Sequence, residues 1–77
     1  MPEKLEKLRL NFNNIITIDS FVFRNLNKLR ELRLDHNNIE ILESGAFKNL
    51  NALEQLSLNS NNIFIIPSDA LDVHLIH

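Results

Sequence analysis

The 77-residue chain contains no cysteine. That excludes a disulfide framework and a thiolate metal site, and leaves the redox compartment open. Its single glycine, Gly45, cannot build a glycine-rich phosphate loop. No apolar run reaches the roughly 20 residues of a membrane span, and no secretory signal opens the chain. Neither charge sign dominates: eight Lys and Arg against ten Asp and Glu give a net charge of −2 (8 − 10), with a pI near 5.8. This excludes a nucleic-acid footprint and a polybasic membrane contact. No Asn-x-Ser/Thr sequon occurs, so nothing in the chain marks it as glycosylated. A chain of this length has room for one domain with a small core, worth about 4–11 kcal/mol in total at ordinary values per residue.

What is present is repetition. Leu29, Leu32, Leu34, Asn37 and Ile39 follow the pattern L-x-x-L-x-L-x-x-N-x-I. The same pattern stands upstream at Leu5, Leu8, Leu10, Asn13 and Ile15, and downstream at Leu53, Leu56, Leu58, Asn61 and Ile63. Both steps are 24 residues (29 − 5 and 53 − 29), so the period itself is the main structural signal. Leu32 and Leu34 alternate with Arg33 as a half-buried strand requires. Leu29 and Ile39 turn onto the same interior from either side. Asn37 lies among inward-facing residues, where an unpaired amide would cost roughly 1–3 kcal/mol. Stacked Asn13, Asn37 and Asn61 are therefore expected to form a ladder of side-chain to backbone hydrogen bonds beneath a short parallel sheet. A helix through Leu26, Leu29 and Leu32 is the rival reading, but Asp35-His36-Asn37-Asn38 and Asn59-Ser60-Asn61-Asn62 are poor helix formers where continuity would be needed.

The motif and its period resemble leucine-rich repeats of the 24-residue type, as in Toll-like receptor ectodomains and insect immune repeat proteins. The resemblance covers nearly the whole chain. It implies an α/β-type solenoid: a short parallel concave β-sheet, an irregular or 3-10 convex side, and three repeats at about 5–28, 29–52 and 53–77 in a single domain over 1–77. It also implies a parent protein that is extracellular or on the cell surface. The cysteine-rich caps usual in such proteins are missing, so the chain is expected to be a fragment of a longer protein or an engineered minimal unit.

The return segments carry their own inward residues. Ile18, Phe23 and Leu26 correspond to Leu42, Phe47 and Leu50, and Phe23 and Phe47 are expected to stack as an aromatic spine. Phe21 and Val22 stand where the next repeat has Gly45 and Ala46, either overfilling the first coil or leaving a patch to be covered. Gly45 precedes a convex turn that calls for φ > 0. In the last repeat Leu71 replaces the phenylalanine, His74 replaces the leucine, and Leu75 and Ile76 are either an improvised cap or a loose tail.

Little in the sequence can carry chemistry. His36, His74 and His77 are the only ready metal or acid–base groups. His74 and His77, near Asp72, read as tail residues. Asp35-His36 suggests a dyad, but Ser60 sits a repeat away and has no base partner. No zinc spacing or nucleophile motif occurs, so neither an enzyme nor a metal or cofactor requirement is expected.

Recognition remains. Residues alternating with the strand leucines form concave columns: Lys7, Glu31 and Gln55; Arg9, Arg33 and Ser57; Asn11, Asp35 and Asn59; Phe12, His36 and Ser60. By resemblance, this face binds a protein partner, as part of a receptor, adhesion or innate-immune protein. Phe12, beside Arg9, Arg33 and His36, is the leading anchor, since aromatic and arginine side chains dominate hot spots. The alternative is a structural, self-associating unit, a homo-oligomer joined through the leucines of its open end coils.

Overall fold

The structure is a computed structural model that describes residues 3–69. Five strands follow in order: β1 (Lys7–Arg9), β2 (Thr17–Ile18), β3 (Glu31–Arg33), β4 (Ile41–Leu42) and β5 (Gln55–Ser57). The first sheet runs β1-β3-β5 and the second β2-β4, all in parallel. Leu8, Leu32 and Leu56 are direct partners across the first sheet. An isolated parallel bridge between Ile41 and Ile65 extends the second. Parallel neighbours need a crossover, and here each crossover is one circuit of a solenoid.

The return path corrects the expected α/β and 3-10 character. No helix occurs among the described residues; turns and the second sheet bring the chain round. The short returns leave only turns such as Arg24 N–H to Phe21 O (3.1 Å) and Lys48 N–H to Gly45 O (3.0 Å). Positive φ angles sit at matching places in successive coils: Asn25 and Asn49 at 69° and 67°, and Phe21 and Gly45 at 68° and 71°.

The core runs between the two sheets. Leu29, Leu32, Leu34, Ile39 and Leu42 are completely buried, and Phe23, Leu26, Phe47 and Leu50 close the convex side. Phe23 and Phe47 stack with centroids 6.0 Å apart and planes 10° from parallel. Flanking coils are less covered: Leu5, Leu8, Leu10 and Ile15 at one end, and Leu56, Leu58 and Ile63 at the other, are half-buried. Leu53 departs from that trend and is buried in the main cluster; its N–H closes a turn onto Leu50 O (3.1 Å).

Asn37 ties the coils together. Its Oδ1 accepts from Asn13 N–H (3.0 Å) and Ile15 N–H (3.2 Å). Its Nδ2 donates to Leu10 O (3.0 Å), Leu34 O (3.0 Å) and Asp35 O (3.3 Å). Asn61 repeats the arrangement one coil on, accepting from Ile39 N–H at 2.9 Å and donating to Leu34 O and Leu58 O at 3.0 Å each. Asn13 is exposed, and its Nδ2 donates only within its own turn, to Leu10 O and Asn11 O. The expectations for Leu71, Asp72, His74, Leu75, Ile76 and His77 lie outside the described residues.

Candidate functional site

The β1-β3-β5 face gathers the polar residues that alternate with the leucines. Lys7, Glu31 and Gln55 are register partners, as are Arg9, Arg33 and Ser57. Like charges directly opposite repel, so Arg9 and Arg33 must find separate counterions. Arg9 Nε reaches diagonally to Glu31 Oε2 at 2.9 Å. Arg33 turns along its own strand and grips Asp35 with two bonds, Nε to Oδ1 at 3.0 Å and Nη2 to Oδ2 at 2.8 Å. A forked guanidinium–carboxylate pair of this kind is the stronger geometry.

Both carboxylates respond. Hydrogen bonding from Arg9, with its charge, holds Glu31 below the usual carboxylate range. The Arg33 hydrogen bonds do the same for Asp35, helped by a backbone N–H and by the Arg33 charge, against the opposing effect of burial. Asp35 is 1% exposed, so of the concave residues it alone is withdrawn from any partner. Its carboxylate belongs to the fold because a forked arginine covers it.

Beyond the strands the chain turns at Phe12, His36 and Ser60, with φ of 57°, 56° and 60°. This corner is locked from coil to coil: Phe12 N–H donates to Asp35 O and His36 N–H to Asn59 O, both at 3.1 Å. The shared backbone lays the Phe12 ring on the His36 imidazole, centroids 4.3 Å apart and planes 4° from parallel. Phe12 remains 69% exposed, so the stack is presented outward. Lys7, Arg9, Gln55, Asn59 and Ser60 are exposed, while Asn11, Glu31, Arg33 and Ser57 are half-buried.

His36 Nε2 lies 3.9 Å from Asp35 Oδ2, beyond hydrogen-bond reach, and no hydrogen bond joins His36 to Ser60 among the described residues. No group of three or more metal-ligating side chains occurs among them either.

Two features escaped the sequence reading. One is a charge column along the sheet: Arg30 lies between Glu6 (3.9 Å) and Glu54 (3.3 Å), all three exposed. The Glu54 hydrogen bonds, followed by its charge, raise the Arg30 pKa. The signal was the spacing of 24 between residues 6, 30 and 54. The other is an apolar flank of Ile16, Phe64, Ile65 and Ile66, all exposed. Its signal was the unbroken run Ile63-Phe64-Ile65-Ile66, where the preceding coil has Glu40 in place of Phe64.

In comparison with known proteins, residues 3–63 match the family model described as leucine rich repeat. No curated protein and no solved structure matches the chain.

Proposed function

The chain belongs to the leucine-rich repeat family, and from that premise we propose that it recognises a protein partner through the β1-β3-β5 face. Domains of this family generally mediate protein–protein contact and are typically not enzymes. The observation that carries the reading is the outward Phe12–His36 stack held on a strained, hydrogen-bonded corner. Two non-glycine residues in left-handed backbone represent stored conformational cost, which concentrates at functional positions. A rigid aromatic pair loses little freedom when a partner covers it. Lys7, Arg9, Glu31, Arg33, Gln55, Ser57, Asn11, Asn59 and Ser60 form the polar surround, with Asp35 acting beneath them by fixing Arg33.

On this reading the chain is one domain of three repeats, at about 5–28, 29–52 and 53–77. It belongs to a receptor, adhesion or innate-immune protein that works outside the cell or at its surface. The test is a display selection of peptide binders on the immobilised chain, counter-screened on Phe12→Ala and Arg9→Gln, the latter chosen because Arg9 is exposed and its loss leaves no buried charge unpaired. Binders that lose affinity on both variants support the concave face. A binder set indifferent to both overturns it.

A second reading rests on the half-buried leucines of the flanking coils: copies of the chain associate end to end. Light scattering over a hundredfold range of concentration distinguishes it, since the first reading requires no growth in mass and this one requires it. Leu10→Glu and Leu56→Glu, one at each end, would abolish such growth.

A further inference from the structure

The convex side carries a hollow of its own, away from the concave face. A cavity of about 270 Å³ opens between two successive returns, lined by Phe21, Arg24 and Asn25 from one and Gly45, Lys48 and Asn49 from the next. Gly45 adds no side chain to its wall. A Cβ there would meet nothing nearer than Lys48, at 3.9 Å.

Four observations give it chemistry. No aspartate or glutamate lines it. Arg24 and Lys48 have no ion-pair partner among the described residues, so two cations face one hollow without a counterion. The asparagine amides around them make no hydrogen bond to another described residue, leaving donors and acceptors open in pairs. Finally, Phe21 is 69% exposed and sits at φ 68°. A bulky side chain in left-handed backbone is an outlier, and one that gains almost no burial there is not explained by packing. Phe21 also lines a shallower neighbouring hollow with Arg24 and Asn25, to which Glu3 and Asp19 contribute as well; neither carboxylate pairs with Arg24 within 4 Å, and the Phe21 ring borders open space on both sides.

We propose that this cavity binds a small hydroxylated ring bearing an oxyanion ester, a sugar sulfate or sugar phosphate, with the ring against Phe21, the oxyanion between Arg24 and Lys48, and the hydroxyls on the asparagine amides. The volume falls just below the roughly 300 Å³ at which drug-sized pockets begin, which suits one ring and not a chain of them. Two cations on opposite returns also mean that the ligand bridges adjacent coils. Occupancy therefore fastens one return to the next, adding to the Ser20 bonds to Glu43 and Ser44 and the Phe23–Phe47 stack that already join them.

The test is an amide chemical-shift titration of the full chain with glucose 6-phosphate, glucose 6-sulfate, glucose, and inorganic phosphate and sulfate. Saturable shifts clustered at Phe21, Arg24, Gly45 and Lys48 are expected with the two esters, and their relative affinities tell sulfate from phosphate. Glucose and the inorganic anions should bind at least about tenfold more weakly, because each lacks half the contacts. Arg24→Gln with Lys48→Gln should remove the response, and Lys48→Arg should keep it. Phe21→Gly is the decisive variant, since it relieves the backbone and should melt higher than the parent while binding at least about tenfold more weakly. No saturable shift with either ester, equal binding of inorganic anion and ester, or undiminished affinity in Phe21→Gly each overturns the proposal.

Discussion

Phe21 and Gly45 occupy the same place in successive coils and hold the same left-handed backbone, at φ 68° and 71°. One residue takes this conformation freely and the other at a cost. The coil geometry therefore dictates the backbone, whatever side chain stands there.

Replacing Phe21 by glycine should stabilise the chain. Relief of the left-handed strain, about 1–2 kcal/mol, outweighs the extra freedom glycine gives the unfolded chain, about 0.5–1 kcal/mol. Little burial is lost, because the ring is exposed. A rise of several degrees in the melting temperature is expected by circular dichroism. Gly45→Ala should move it the other way by about 1 kcal/mol, through backbone strain alone, since the new Cβ has room.

Asn37 and Asn13 share a motif position but differ in what they hold. Asn37→Ala leaves the N–H groups of Asn13 and Ile15 without their acceptor and takes one of two amide donors from each of the carbonyls of Leu10 and Leu34. A loss of about 3 kcal/mol is expected, a large share of the roughly 4–11 kcal/mol that a chain this size has in total. Asn13→Ala removes two bonds within an exposed turn and should cost under about 1 kcal/mol. Urea denaturation of the two variants gives the comparison directly.

Acid should weaken the fold through Asp35 and Glu31. Both are held below the ordinary carboxylate range when folded, so their contribution is complete at neutral pH. It fades as pH falls below the unfolded value of about 4 and through the lower folded one. Melting temperature should therefore drop on acidification below about pH 4. In Arg33→Gln the Asp35 carboxylate is left buried without its guanidinium. That variant should be far less stable than the parent at pH 7, and the gap should narrow as acid neutralises the carboxylate. A gap independent of pH would show that the pair is not what couples stability to protons.

The leucines, the asparagines and the Phe23–Phe47 pair were legible in the sequence because a period of 24 fixes both their spacing and their direction. Asp35 was not. Its column, with Asn11 and Asn59, points to the concave surface, and only the fork of Arg33 folded over it makes it interior. The exposure of Phe64, Ile65 and Ile66 was equally hidden, since a local pattern reports which way a residue points but not whether a further layer covers it. The missing helix has a related cause. Return segments as short as Asp19–Lys28 close with turns before a helical hydrogen-bond ladder can propagate.

The uniform register of the first sheet has a kinetic consequence. Lys7 pairs with Glu31 and Glu31 with Gln55, so every strand pairing closes a loop of the same length (31 − 7 and 55 − 31). The entropy of that closure grows only logarithmically, by about 0.6 kcal/mol for each doubling. No pairing is thus favoured by proximity along the chain, and the order of assembly falls to which coil gains most on closing. That coil is the one bearing β3, whose neighbours lie on both sides. Assembly is therefore expected to spread outward from it in equal strides, with chain entropy giving neither direction an advantage.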